Sequence, residues 1–275
     1  MKKTSTYLRD KKAEGQHITM LTCYDYPTAQ WEEEAGVDVI LVGDSVGTNV
    51  LGYESEKEVT LADIRHHLKA VSRGVRSAYL LADFPYRTYD TAADALRNAR
   101  TLLDDGADGV KLEGYKAEII SHLVAQGIEV CAHLGLTPQI HEKKGLQARS
   151  AEAAIELFQQ SVALQKAGAF MLVYELVPEE VAAELTKRLD IPTIGIGAGR
   201  FTDGQVLITL DMLGISTFDL RHSHRYEEMT QKATSAIRSF VEDVTHGNFP
   251  GPENVRHLPK DEAEKFTEQL GNAND

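Results

Sequence analysis

The chain has 275 residues, long enough for one (β/α)8 barrel or two small domains, and its 42% hydrophobic and 26% charged content suits a globular protein with a sizeable core. A formal net charge of −13, from 29 basic and 42 acidic residues, argues against the electropositive footprint that nucleic acid or an anionic membrane requires. Two cysteines in apolar runs (Cys23 and Cys131), no leader-like start, and apolar stretches far below the ~20 residues of a spanning helix predict a soluble, cytoplasmic protein.

From Ile18 onward, short apolar runs alternate with amphipathic stretches. Ile18 to Tyr26 predicts a first strand, broken at Pro27 by a helix that ends near Gly36. Val37 to Asp44 predicts the second, followed by a loop and a helix over about Leu61 to Arg73. The pattern repeats at Tyr79 to Asp83, Gly109 to Glu113, Glu129 to Gly135 and Phe170 to Glu175, each run leading into a helical stretch. Pro192 to Gly197 and Gln205 to Leu210 complete eight. Continuous runs such as Val37 to Val42 fit parallel strands buried on both faces, and Gly36, Gly109 and Gly168 stand where helices hand over to strands. The expected fold is a single (β/α)8 TIM-type barrel. It forms one domain over 1–275, with a core over about 16–246 that ends in a long helix from Arg225 to His246. A polar, proline-punctuated tail over 247–275 should lie on the surface.

Barrel enzymes carry their chemistry at the C-terminal strand ends, and four predicted strands end in acids: Asp44, Asp83, Glu113 and Glu175. One such acid reads best as a helix cap. Four are harder to dismiss, because two like charges ~4 Å apart oppose each other by up to ~4 kcal/mol even at an effective dielectric of 20. A cation relieves that repulsion, and hard oxygen donors without a His/Cys cluster suit Mg²⁺ or Mn²⁺ better than Zn²⁺. Lys111 shares a strand face with Glu113 and is open to three readings: an ion pair, a contact to an anionic substrate, or a Schiff-base lysine. His133 ends the fifth run as a hydrogen-bonding group or a structural histidine. His66, His67, His222 and His224 read as solvated or loop positions. The glycines of Gly195-Ile-Gly-Ala-Gly199 provide backbone room near a ligand or a tight turn.

At these residues the sequence resembles the 3-methyl-2-oxobutanoate (ketopantoate) hydroxymethyltransferase family of the phosphoenolpyruvate/pyruvate-binding barrel superfamily. The likeness spans Ile18 to Gly214. It rests on Thr22-Cys-Tyr-Asp-Tyr26, Leu41-Val-Gly-Asp-Ser45, Leu81-Ala-Asp-Phe-Pro85, Val110-Lys-Leu-Glu-Gly114, His133-Leu-Gly-Leu-Thr-Pro-Gln139 and Ile194-Gly-Ile-Gly-Ala-Gly199, then Thr202-Asp-Gly-Gln205. The resemblance implies hydroxymethyl transfer from 5,10-methylenetetrahydrofolate to 3-methyl-2-oxobutanoate, giving 2-dehydropantoate for pantothenate and coenzyme A synthesis. It implies a large homo-oligomer, and Mg²⁺ or a similar cation held by Asp44, Asp83 and Glu113 directly or through waters. It further implies that Asp44, Ser45, Asp83 and Lys111 bind the oxo acid, that Glu175 moves the proton, and that His133 supports them.

Two stretches, Ile140 to Arg149 and Ser216 to Arg225, depart from the family pattern. Another metal-dependent 2-oxo acid aldolase of the superfamily is the nearest alternative. A catalytically inactive barrel serving as a binding subunit is the alternative of a different class.

Overall fold

Each of the eight apolar runs forms a strand. The strands close in chain order into an all-parallel barrel: β1 (Ile18–Thr22), β2 (Val39–Val42), β3 (Tyr79–Asp83), β4 (Gly109–Glu113), β5 (Val130–Gly135), β6 (Met171–Glu175), β7 (Thr193–Ile196) and β8 (Gly204–Leu207). Closure is direct, with Ile18 to Leu21 of β1 paired in register with Gly204 to Leu207 of β8. The computed structural model describes residues 2–140, 145–216 and 221–272. Parts of both atypical stretches, residues 141–144 and 217–220, lie outside the described residues.

Helices fill the crossovers: α1 (Ser5–Ala13) precedes the barrel, then α2 (Tyr26–Ala35), α3 (Leu61–Ser72), α4 (Ala92–Asp104), α5 (Ala117–Ala125), α6 (Ala151–Lys166) and α7 (Glu179–Arg188). Local chemistry starts several of them. Asp25 accepts the Thr28 N–H at the head of α2, Thr60 and Asp63 form a reciprocal capping box on α3, and Thr91 and Ser150 cap α4 and α6. That demand shortens β1 to Thr22, since Asp25 is taken by the cap of α2. The eighth strand is likewise shorter than its apolar run. It gives way to the one-turn α8 (Thr209–Met212), where the Thr22 hydroxyl accepts the Thr209 N–H.

Alternation along the strands divides the core in two. Inside the barrel, Met20, Val39, Leu41, Tyr79, Leu81, Met171, Val173 and Ile194 fill the cross-section; outside it, residues such as Ile40, Leu80, Val110, Leu112, Ala132 and Leu172 pack against the helices. The interior is therefore solid below the rim, which confines any ligand to the C-terminal end.

The helix α1 was not anticipated in the sequence, and it seals the opposite end. Leu8 is fully buried among the barrel-interior side chains. Around it, basic residues meet acids at the strand starts: Lys2 with Asp108 at 2.6 Å, Lys11 with Asp38 at 2.7 Å and Lys12 with Asp203 at 2.7 Å. Asp38 also takes the Tyr7 hydroxyl and the Thr19 N–H.

The chain divides into two compact units, Met1–Glu227 and Glu228–Asp275. The second unit carries the long helix expected near 225–246, α9 (Met229–Thr245), and a further helix, α10 (Lys260–Asn272), within the stretch that reads as a polar tail.

Burial raises the Asp38 carboxyl, but Lys11, the Thr19 N–H and Tyr7 outweigh it and bring the group from 3.8 down to about 2. A depressed carboxyl contributes stability above its unfolded value and loses it as pH falls through its folded one. Asp38→Asn, which strands Lys3 and Lys11, is expected to cost about 3 kcal/mol at neutral pH. It should also flatten the loss of stability between pH 3.8 and about 2, measured by urea unfolding across that range.

Candidate active site

Strand register brings the predicted site residues together. Asp83 on β3 pairs with Lys111 on β4, Glu113 with His133 on β5, and Gly135 with Glu175 on β6. Lys111 and Glu113 are two residues apart and face the interior one layer apart. Asp44 and Ser45 follow β2 directly and complete the set on one side. All seven predicted residues line a single cavity of about 630 Å³ at the C-terminal rim.

None of the four acids caps a helix. The side-chain caps on α2, α3, α4 and α6 are Asp25, Thr60, Thr91 and Ser150, while α5 and α7 have none. Instead, the acids engage one another's neighbours. Lys111 Nζ donates to Asp83 Oδ1 at 2.7 Å, and the Asp44 N–H approaches Asp83 Oδ2 at 3.3 Å. The ring of His133 stands between Glu113 and Glu175, with nitrogens 3.4 and 3.3 Å from their oxygens and neither aligned for a hydrogen bond. Gly43 makes the crowding possible, since a Cβ there would lie 3.0 Å from Ser45 Oγ and 3.4 Å from Asp83 Oδ2.

A residue without an assigned sequence role ties this cluster together. Gln139, buried in the loop after β5, donates from Nε2 to Asp44 Oδ2 at 2.7 Å and to the Phe84 carbonyl at 2.9 Å. Its backbone N–H donates to Glu113 Oε2 at 3.0 Å, and its Oε1 accepts the Tyr89 hydroxyl at 2.6 Å. One side chain and its own amide thus fix two acids from different strands. Tyr24 plays a similar part at Ser45, with the two hydroxyls 2.8 Å apart. The readable signal for both was their place beside strand-end acids within quoted motifs; their partners depend on loop paths that spacing does not reveal.

Electrostatics at this rim are dominated by buried like charge. Burial, then Asp83 and Glu113, hold the Asp44 carboxyl well above the usual range, with Lys111 and Gln139 opposing. Asp83 is raised by burial despite Lys111. For Glu113 the balance reverses: His133, Lys111 and the Gln139 N–H overcome burial and lower it. Burial and Lys111 disfavour the His133 cation, but Glu113 and Glu175 prevail and bring it to about 9. Burial likewise opposes the Lys111 charge, yet Asp83, Glu113 and Asp44 outweigh it and raise the ammonium further.

These donors fit a hard divalent cation. Three buried carboxyl groups face one lysine and one histidine, and added positive charge would favour the ionised form of Asp44 against the burial and like charge that raise it. Among the described residues no three His, Cys, Asp or Glu side chains form a ready-made cage. Mg²⁺ keeps several waters and takes only one or two carboxylates, so it would not require such a cage.

Other expectations need correction. His222 stands in a turn, as read from the sequence, but it also lines the cavity together with Ser223 and Asp211. His67 lies on α3 with Nδ1 2.6 Å from the Tyr24 carbonyl oxygen. Leu176, which follows β6 with a φ of 47°, lines the cavity as well. Gly195, within β7, faces Thr202 and Gln205, and Gly199, after it and with φ +82°, faces Glu179. These two serve the packing of the β7–β8 turn.

The barrel, the sealed base and the acid-lined rim define an enzyme of the (β/α)8 class. Comparison with known proteins narrows this: the family described as Ketopantoate hydroxymethyltransferase matches residues 2–252, and the chain belongs to that family. The 3-methyl-2-oxobutanoate hydroxymethyltransferase of Chloroflexus aggregans is 43% identical over 278 residues, covering 99% of both chains. The enzyme of the same name from Acetivibrio thermocellus is 45% identical over 259 residues, 91% of each. Among solved structures, 2,3-dimethylmalate lyase, a PEP mutase/isocitrate lyase superfamily member, shares the fold. It has a TM-score of 0.58 and 17% identity over 98% of this chain and 100% of its own.

Because Gln139 serves several buried groups at once, Gln139→Leu should destabilise the protein by about 3 kcal/mol, as buried acceptors lose their donors. Tyr89→Phe removes the 2.6 Å contact to Gln139 Oε1 and two longer ones to the Glu113 backbone, and should cost about 1 to 2 kcal/mol. Urea unfolding of both variants and the pair should show the double variant costing less than the sum, because the Tyr89–Gln139 contact is lost in either.

Proposed function

We propose that this enzyme transfers a hydroxymethyl group from 5,10-methylenetetrahydrofolate to C3 of 3-methyl-2-oxobutanoate, giving 2-dehydropantoate for pantothenate and coenzyme A synthesis. Family membership supports the reaction. The observation that carries the chemistry is the convergence of Asp44, Asp83, Lys111, Glu113 and Glu175 on one cavity. Asp44, Asp83 and Glu113 would hold a divalent cation, Mg²⁺ or Mn²⁺, directly or through waters, and that cation would supply Lewis acidity worth several kcal/mol toward the charge developing on the oxo acid.

The protein's own groups do the rest. Lys111, kept charged by its acidic neighbours, meets the substrate carboxylate, and Ser45 donates a hydroxyl beside it. A lysine held as an ammonium is a poor Schiff-base former, which favours the electrostatic reading. Glu175, at the end of β6 and half-buried, takes the C3 proton, with His133 Nε2 3.3 Å from its carboxylate. In sum, the C3–H bond gives way to C3–CH₂OH. The carbon comes from the carrier and the hydroxyl oxygen from water, and tetrahydrofolate leaves as both of its C–N bonds to that carbon break. No helix among the described residues is long and apolar enough to cross a membrane, which accords with a cytoplasmic setting. The working form is a homo-oligomer.

Glu175→Gln keeps size and removes basicity. It should slow deuterium exchange at C3 of the oxo acid in D₂O, and the folate-dependent transfer with it, by ~100-fold or more, both followed by NMR. Undiminished exchange with failed transfer would move the base elsewhere. Asp44→Asn with Asp83→Asn should abolish Mn²⁺ binding measured by electron paramagnetic resonance. Borohydride treatment with substrate should leave Lys111 unmodified by intact mass; an adduct there would restore the Schiff-base reading.

A further inference from the structure

Buried polar atoms without a partner are few in folded proteins, and each calls for an explanation. Among the described residues six such side-chain atoms occur: Glu32 Oε2, Asn49 Oδ1, both ring nitrogens of His133, Asp211 Oδ1 and Ser223 Oγ. All but Glu32 Oε2 belong to residues lining the rim cavity. His133 belongs to the acid cluster between β4 and β6. Asp211 and Ser223 do not: Asp211 lies in α8, after the last strand, and Ser223 follows it in the chain.

Asp211 is only 4% exposed, and although Ser216 hydrogen-bonds its carboxylate, Oδ1 remains unmatched. The same cavity is walled by the apolar side chains of Leu176, Ile196, Leu207 and Ile208. Size matters as much as chemistry. A five-carbon oxo acid bound at the acid cluster fills a small part of 630 Å³, a volume within the ~300–1,000 Å³ range that takes a drug-sized ligand. The remainder asks for a second compound with a flat apolar body and N–H donors on one edge, because an ionised carboxylate oxygen can only accept.

We infer that the β8 side of the cavity seats the reduced pterin ring of the one-carbon carrier, with Asp211 Oδ1 accepting from its N–H edge and Ser223 Oγ completing the polar contact. This rests on the proposed use of a tetrahydrofolate carrier. The amino-pyrimidinone edge of a pterin presents adjacent N–H donors, and a carboxylate meets such a pair as it meets a guanidinium. The apolar walls pack on the ring. Carrier and oxo acid then share one cavity from opposite sides, with the acid cluster reserved for the smaller partner.

The test is calorimetric titration of the intact enzyme with tetrahydrofolate under anaerobic conditions, together with steady-state kinetics. Asp211→Asn should weaken tetrahydrofolate binding and raise the carrier KM by at least ~10-fold, while the oxo-acid KM moves less than about twofold. Ser223→Ala, a partly exposed position whose truncation spares the fold, should weaken carrier binding by about 3-fold and decides the matter if Asp211→Asn does not fold. Wild-type affinity for tetrahydrofolate in both variants overturns the assignment. A wild-type enzyme that binds no tetrahydrofolate and forms product from free formaldehyde overturns the carrier reading itself, and the pterin seat falls with it.

Discussion

Asp44, Asp83 and Glu113 are buried together at one end of a solid barrel, with Lys111 and His133 as the nearby positive groups. Ionised carboxylates in that setting repel one another and lose their water, so each needs a specific compensation. Asp83 has Lys111, Glu113 has His133 and the Gln139 N–H, and Asp44 has little beyond the Gln139 side chain. The uneven distribution leaves Asp44 the least compensated of the three. Gly43 and the Tyr89–Gln139 pair make sense as parts of the same arrangement: one gives the acids room, the other holds them in place.

Much of this was legible in the sequence because strands carry their information locally. Eight apolar runs, each near the length of a buried parallel strand, announced the barrel, and the acids and lysine at their ends marked the rim. What escaped notice depends on pairing at a distance. Nothing in the spelling of Ser5 to Ala13 says that Leu8 enters a barrel formed by residues 18–207, because a short polar helix with one leucine has almost no periodic signal. His222 reads as a loop histidine until the end of β7 is known to lie beside it. Leu176 joins the cavity wall because the backbone turns left-handed just past Glu175, which strand alternation does not reveal. Strand ends and helix caps, by contrast, erred by only a few residues, each time because a side chain such as Asp25 was needed by the helix rather than the strand.

The two ends of the barrel show opposite uses of charge. At the base, Lys2 and Lys12 meet Asp108 and Asp203, and Lys3 and Lys11 share Asp38, so the acids at the strand starts are paired. At the rim, carboxylates outnumber cations and several polar atoms go unmatched. Satisfied polar groups rigidify a scaffold; unsatisfied ones are tolerated where a ligand completes them. The fold therefore concentrates its electrostatic deficit on one face and spends its ion pairs holding the other shut.

The position of α1 also constrains how the chain acquires its structure. Lys12 is 191 residues from its partner Asp203, and Lys2, Lys3 and Ser5 reach acids near the starts of β2, β4 and β5. During synthesis this helix leaves the ribosome before any strand, yet its docking surface exists only once the eighth strand has joined the first. Contacts of such sequence separation carry the largest loop-closure penalty and form late. A helix that precedes every barrel strand in the chain is thus among the last to dock, and until it does the apolar bottom of the barrel around Leu8 stays uncovered.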